Sequence, residues 1–292
     1  YPALRTATVP LVAMMRPKGS GGYSGRMRSV MVGVQFFVSG TLMIMAFVMY
    51  LQNSAMTQQL DGIVSDPKIV IATPIDTFTV SPELLINELT AHPGVISVSQ
   101  SHITPWSISS SGIEISESED VNEPDIIAGV YYVSYDYLET MDVPLTAGRD
   151  FSRERSTDRY PLPGELEVGN GPYPIILDNQ SAQALGWDSA TEAVGERLYL
   201  RDVLPEGEVE ISVELNVIGA IDALKYQFVD FGSFGIQGNV LILQPDIARL
   251  MIVKISKENV NDALQHIENT WARLMPTIPL QREFVDDLFM LT

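Results

Sequence analysis

Twenty-two consecutive residues, Val30 to Leu51, carry no charge, and they separate two regions of opposite character. As a helix this stretch rises roughly 33 Å at about 1.5 Å per residue, enough to cross a hydrocarbon core of about 30 Å. Ahead of it stand Arg5, Arg16, Lys18, Arg26 and Arg28 with no acid among them; the rest of the chain holds 13 basic and 37 acidic side chains. Basic residues are retained on the cytoplasmic side of a membrane helix, so residues 1–28 are expected in the cytoplasm, residues 29–53 in the bilayer and residues 54–283 outside it. The acidity excludes a nucleic-acid partner, whose phosphates it would repel. A cleaved signal peptide fits poorly: its apolar core is shorter, its basic start is closer, and Gln52-Asn53-Ser54-Ala55 is a poor cleavage site. A soluble core helix of this kind would need a large protein interior around it.

Within the apolar stretch, Gln35, Ser39, Leu42 and Ala46 recur at helical spacing, with Gly33 and Gly40 nearby. Small and mildly polar residues let another helix approach closely and satisfy Gln or Ser, so neighbouring membrane helices are expected to pack on Gly33, Gln35, Ser39, Gly40 and Ala46. Tyr50 suits the outer interface. The chain has no cysteine. That excludes a disulfide scaffold, thiol catalysis and thiolate metal sites, and leaves about 230 residues that are enough to bury a core unaided.

Downstream, Lys68–Ala72 is a β-branched run. Pro82–Thr90 is predicted helical, with Ser81 as its N-cap and His92-Pro93-Gly94 as its stop, and Val95–Ser99 alternates like a strand, completing a β-α-β unit. Ser107–Pro124, rich in Ser, Glu and Asp, reads as a loop. Ile126–Val133 is a strand, Tyr135–Met141 a short helix, and Asp150–Pro174 a loop-like junction. Then come a strand at Ile175–Leu177, a helix at Gln180–Leu185 capped by Asp178 or Asn179, and longer strands at Arg197–Val203 and Glu208–Ile218. After strands at Val240–Leu243 and Met251–Ile255, Val260, Ala263, Leu264, Ile267, Trp271 and Leu274 form one stripe on a helix over Glu258–Leu274. A strand near Leu280 leads into a helix start at Glu283–Leu291. The order predicts an α+β extracytoplasmic domain in which residues 60–150 are completed by 245–283, with a strand-rich subdomain, residues 151–244, inserted between them.

Catalytic signs are weak. His92, His102 and His266 lack metal-type spacing, and no G-x-S-x-G marks a serine nucleophile. Glu117, Glu119 and Asp120 lack the glycine and spacing of a calcium loop, so they read as a solvated face. Asp150 beside Arg149 reads as a turn or ion-pair feature. Gly232 to Gly238 precede a strand, where a phosphate cradle follows a strand and opens a helix. They read as a flexible connection carrying Phe228, Phe231 and Phe234. No G-x-x-x-x-G-K-[ST] occurs, and Lys18-Gly19-Ser20 lacks the preceding glycine, so nucleotide chemistry is not expected on this chain.

Several runs, taken in order, carry a resemblance. They are Tyr1-Pro2-Ala3-Leu4-Arg5, Val32-Gly33-Val34-Gln35-Phe36, Tyr137-Leu138-Glu139-Thr140-Met141 and Ala147-Gly148-Arg149-Asp150-Phe151. They continue with Asn179-Gln180-Ser181-Ala182, Leu185-Gly186-Trp187, Ala193-Val194-Gly195, Val217-Ile218-Gly219, and the Trp271 helix followed by Phe284-Val285-Asp286-Asp287. Together they resemble the MacB/FtsX-type ABC transporter permeases over nearly the whole chain. Ala220-Ile221-Asp222-Ala223-Leu224 departs from the family's acid-aromatic-His pattern, which leaves the role of residues 222–238 open.

The resemblance implies an inner-membrane permease, the second half of a duplicated one, with its outer domain strung between two membrane helices and residues 284–292 beginning the return. It implies no catalytic, cofactor or metal residue on this chain, and ATP hydrolysis on a separate cytoplasmic ABC ATPase. Its other expected partners are the lipid bilayer, further helices of the same permease, a second permease copy, and a periplasmic adaptor or substrate protein. Gly148, Arg149, Asp150, Phe151, Gly195 and Trp271 are the motif positions it singles out. The competing reading is a membrane-anchored extracytoplasmic sensor or binding module: a sensor should carry a cytoplasmic signalling domain after a second helix, and a binding module would have no need of a small helix face or a terminal strut.

Overall fold

A computed structural model describes residues 22–61, 66–72, 80–107, 112–118, 126–162, 171–203, 210–224 and 235–289. Arg5, Arg16 and Lys18 lie outside the described residues, as do Glu119, Asp120, Phe228, Phe231 and Phe234. The chain divides into two compact units, residues 1–64 and residues 65–292.

The first unit is one helix, α1, Gly22–Asp61, of 40 residues. Among the described residues it is the one helix long and apolar enough to cross a membrane. At 1.5 Å per residue it extends for about 60 Å, roughly twice the length needed to cross a hydrocarbon core. Its large apolar side chains, Phe36 and Phe37 among them, are exposed.

The second unit is a mixed α/β domain rich in strands. Strand β1, Lys68–Ile71, is followed by helix α2, Pro82–Thr90, and strand β2, Val95–Ser101. Pro82 opens α2 with its fixed φ, and the Ser81 hydroxyl accepts the Leu84 N–H, satisfying one of the helix's orphan donors. Near the end of the chain β10, Leu250–Ile255, leads through α5, Val260–Leu274, to β11, Arg282–Phe284, and the short α6, Val285–Phe289. The four strands lie in the order β11-β1-β10-β2, all neighbours antiparallel. Each β-α-β unit is therefore split: β10 sits between β1 and β2, and β1 between β10 and β11.

Side chains alternate across a strand, so one face of this sheet carries Ile69, Ile71, Val98, Met251 and Val253. These pack on Leu85 and Leu89 of α2 and on Ala263, Ile267 and Trp271 of α5, forming one core. The stripe read from the sequence of α5 is the face that is buried or half-buried here.

Between β2 and β10 the chain builds a second body. Its elements are β3, Gly112–Ser116; β4, Ile126–Val133; α3, Tyr137–Thr140; β5, Leu145–Gly148; β6, Tyr173–Asp178; α4, Asn179–Leu185; β7, Arg197–Val203; β8, Glu210–Ile221; and β9, Ile236–Leu243. Strands β4-β3-β7-β8-β6-β9 pair in turn, and β9 pairs back on β4, closing a six-stranded barrel. Ile115, Val130, Ile175, Leu177, Leu198, Leu215, Val217, Val240 and Ile242 form its core.

Two expectations change. Ser107–Pro124 is not loop throughout: Ile113 and Ile115 alternate over β3, which is held between β4 and β7. Five residues with two isoleucines are too short a pattern to stand out from the acidic residues around them. The second body also begins before residue 151, because β3 and β4 contribute Ile115, Ile126, Ala128 and Val130 to the barrel core.

Candidate functional site

Three residues other than glycine hold a positive φ among the described residues: Trp106 at 65°, Asp136 at 62° and Asp142 at 55°. An L-residue in this region costs roughly 1–2 kcal/mol, and such strain persists where surrounding contacts over-determine it. Trp106 lies on the link from β2 of the four-stranded sheet to β3 of the barrel, and Asp136 and Asp142 lie on the connection from β4 through α3 to β5; each side chain bonds outside its own segment.

Asp142 ends α3. Its N–H donates to the Glu139 carbonyl and that of Val143 to the Leu138 carbonyl, the Schellman pattern that usually places glycine at the left-handed position. Here the carboxylate reaches the second face of the four-stranded sheet. Lys68 of β1 and Lys254 of β10 are register partners on that face, and Asp142 accepts from Lys68 Nζ through Oδ2 and from Lys254 Nζ through Oδ1, each at 2.6 Å. The two lysine residues are only 3% and 8% exposed. Thr140 adds a hydrogen bond to Ser97 of β2 at 3.0 Å, and Ser134 one with Ser99 at the same distance. The sheet is thus apolar toward its helices and polar toward α3.

Trp106 sits in the link from β2 to β3, 7% exposed, and its indole Nε1 donates to the Val285 carbonyl at 2.9 Å. Asp136 forms an ion pair with Arg153 at 2.6 Å, while the Arg153 guanidinium lies 4.7 Å from the centre of the Tyr135 ring. The strand that opens the domain, β1, and the helix that closes it, α6, are each bonded by a side chain to a segment serving the barrel.

Of the motif positions singled out from the sequence, Gly148 and Gly195 hold a positive φ, and the others are placed by their side-chain and backbone bonds. Gly148, φ +76°, faces Gly219 in register between β5 and β8, and a Cβ on Gly148 would lie 2.2 Å from the Ile218 carbonyl oxygen. Arg149 grips the Asp158 carboxylate in a two-pronged contact at 2.7 and 2.8 Å, and its Nη1 also donates to the Asp150 backbone carbonyl at 3.0 Å. Burial of Asp158 works to raise its pKa, but Arg149, the Ser152 N–H and Arg155 together hold it below the ordinary carboxylate value. Asp150 accepts the Phe151 N–H, and burial pushes its carboxyl up. Gly195, φ +95°, donates its N–H to Val217. Trp271 donates to the Ile278 carbonyl at 2.8 Å. Asp222, in the stretch that departs from the family pattern, accepts from Asn179 Nδ2 at 2.5 Å and joins the end of β8 to the start of α4.

The membrane-helix positions do not form one face. At 3.6 residues per turn, successive residues are about 100° apart, which puts Gly33 and Gly40 on a different face of α1, about 100–160° around the axis from Gln35, Ser39 and Ala46. A Cβ added to either glycine would meet nothing within 4 Å.

His92 and His266, distant in sequence, stack with ring centroids 4.8 Å apart and planes 21° apart. They border an open hollow of about 340 Å³ with Asp262, Gln265 and Asn269. Gly94 N–H donates to His92 Nδ1, and His266 Nε2 bonds the Glu88 carbonyl. No group of three or more His, Cys, Asp or Glu is placed to hold a metal ion among the described residues. His102 accepts the Tyr132 N–H at Nδ1, and burial lowers its pKa. Glu117 has its pKa raised by burial and by the charge of Glu196.

The strained residues at Asp142 and Trp106 went unread in the sequence. The one available signal was positional: an aspartate where a helix-ending glycine is usual, and a tryptophan following proline where a turn favours glycine.

No family model matches the chain, and no curated protein matches it. Among solved structures it is similar to the periplasmic region of MacB from Actinobacillus actinomycetemcomitans, at 12% identity and a TM-score of 0.46, over 77% of this chain and 92% of that one. It is also similar to the extracellular domain of the noncanonic ABC-type transporter YknZ from Gram-positive bacteria, at 14% identity and a TM-score of 0.43, over 75% of this chain and 99% of that one.

Proposed function

We propose that the chain is part of an ABC-transporter permease: a membrane helix and an outer domain that receives movement driven by ATP hydrolysis on a separate cytoplasmic ATPase. The observation that carries this reading is the uncharged stretch Val30–Leu51 inside α1, with basic residues alone before it and every acidic residue after it. The ordered family resemblance supplies the kind of membrane protein. The side-chain bonds from β1 and α6 to the barrel links support a mechanical role, because displacement of either end meets an ion pair or a hydrogen bond before it meets the barrel.

In this reading residues 1–28 are cytoplasmic, the second unit lies outside the inner membrane, and α1 and the α6 end act as two struts. The work done is export of a substrate or transmission of force to an outer partner. Residues 1–292 contain no cysteine, so a cysteine introduced there is the sole label within them once any cysteines elsewhere in the permease and its ATPase are replaced. Asn261→Cys, on the exposed side of α5, should react with an impermeant maleimide on intact cells, whereas Arg5→Cys should react only after lysis. In the complete permease with its ATPase, a spin-label distance between Tyr50→Cys and Asp287→Cys should change on trapping ATP; a distance indifferent to nucleotide counts against the permease reading.

A further inference from the structure

The turn Thr104-Pro105-Trp106-Ser107 closes with a hydrogen bond from Ser107 N–H to the Thr104 carbonyl at 3.1 Å. Proline at its second position and a positive φ at its third are the pattern of a type II turn, in which the third residue is favoured as glycine. The third residue here is Trp106, the largest side chain and one of the worst suited to that backbone. A turn needs only a glycine at that point, so its geometry does not account for the tryptophan.

The contacts of the ring do. Trp106 is buried, and its indole N–H meets the carbonyl of Val285, the first residue of α6, which is itself 1% exposed. The turn lies on the link that leaves β2 of the four-stranded sheet and enters β3 of the barrel. We propose that Trp106 is the element that couples α6 to the barrel: displacement of residues 285–289 is passed through this side chain to the β2–β3 link, and from there to the barrel. A positive φ held in place by a buried ring and a directed N–H makes the link stiff in the direction of α6 while the turn itself keeps its shape. This rests on the permease reading, in which α6 begins a strut that moves.

Two variants separate the contributions. Trp106→Phe keeps a buried ring and removes the N–H; Trp106→Gly removes both and gives the turn the residue its backbone favours. In the full chain, amide hydrogen exchange over residues 285–288 should quicken about tenfold in Trp106→Phe, with exchange in α5 and β4 unaltered. Unchanged exchange over 285–288 overturns the proposal.

In the complete permease with its ATPase, two label pairs are followed with and without trapped ATP: Tyr50→Cys with Asp287→Cys, and Tyr50→Cys with Gln183→Cys on α4. Wild type should shift in both pairs. Trp106→Gly should keep the first shift and lose the second, with ATP turnover within about twofold of wild type. If the first pair does not shift in wild type, the permease reading fails. If both pairs shift alike in wild type and in Trp106→Gly, that reading stands and the coupling role of Trp106 is overturned.

Discussion

Gly148 and Gly219 face each other in register across β5 and β8, so close that a single added carbon on Gly148 would press into the neighbouring carbonyl. The φ of +76° at Gly148 adds strain for any L side chain. Gly148→Ala should therefore cost more than the roughly 1–2 kcal/mol of the left-handed backbone alone. Gly186, φ +112°, ends α4 with open space around it, and Gly186→Ala should cost only that backbone term. Urea unfolding of the two variants side by side checks the difference; equal midpoints would contradict the packing argument.

Asp142 is the shared partner of two buried lysines. Its removal as Asp142→Leu leaves both ammonium groups without that carboxylate and should destabilise the domain by about 3–5 kcal/mol. Replacing all three residues, as Lys68→Met, Asp142→Leu and Lys254→Met, should recover part of the loss, since apolar groups of similar volume incur no desolvation cost, while the strain of leucine at the positive φ of position 142 stays. Thermal melts of the single and triple variants read this directly, and a triple variant no better than the single would contradict it.

Two groups give opposite ends of the acid range a role. Asp158 has a depressed pKa in the fold, so its contribution is present above the ordinary carboxylate value near 4 and is lost as pH falls through its folded value. Asp158→Asn should be less stable than wild type at pH 7, and the gap should narrow toward pH 3.

His102 also has a lowered pKa. Below the ordinary imidazole value of about 6.5 the unfolded chain binds a proton that the folded chain resists, so stability declines as pH falls from there toward the folded value. His102→Asn, which keeps an acceptor for the Tyr132 N–H, should flatten the stability curve between about pH 7 and pH 5.

On α1 the polar and the glycine faces are separable. A buried glutamine in lipid needs a partner, and interhelical bonds of this kind contribute about 0.6–2 kcal/mol. On the proposed reading of α1 as a permease membrane helix, Gln35→Leu should weaken its association with helix neighbours by that amount, while Gly40→Leu, on another face, should leave it unchanged. Förster transfer between labelled permease helices in vesicles distinguishes the two.

Local chemistry made some elements legible. Ser81-Pro82 and the His92-Pro93-Gly94 stop set α2 at Pro82–Thr90, and the β-branched and aromatic run Ile126–Val133 sets β4, because caps, proline and side-chain pattern act within a few residues. Closure of the barrel was not legible. It depends on β9 returning to β4 over more than a hundred residues of chain, a pairing that no local pattern encodes. Nor were the Asp142 and Trp106 contacts, because each residue breaks the glycine preference of its position and the reason lies across the fold, at Lys68 and Lys254 in one case and Val285 in the other.

A sheet that ends in the open offers its unpaired backbone to any passing strand, and long apolar strands such as Ile236–Leu243 are where copies of a protein would otherwise stick together. In the barrel those strands are closed on one another. At the far margin of the other sheet, the outermost strand is only three residues long and bears Arg282 and Glu283. Among the described residues, copies crowded together would thus meet a closed barrel wall and, at this margin, a short charged strand, which disfavours strand-to-strand association there.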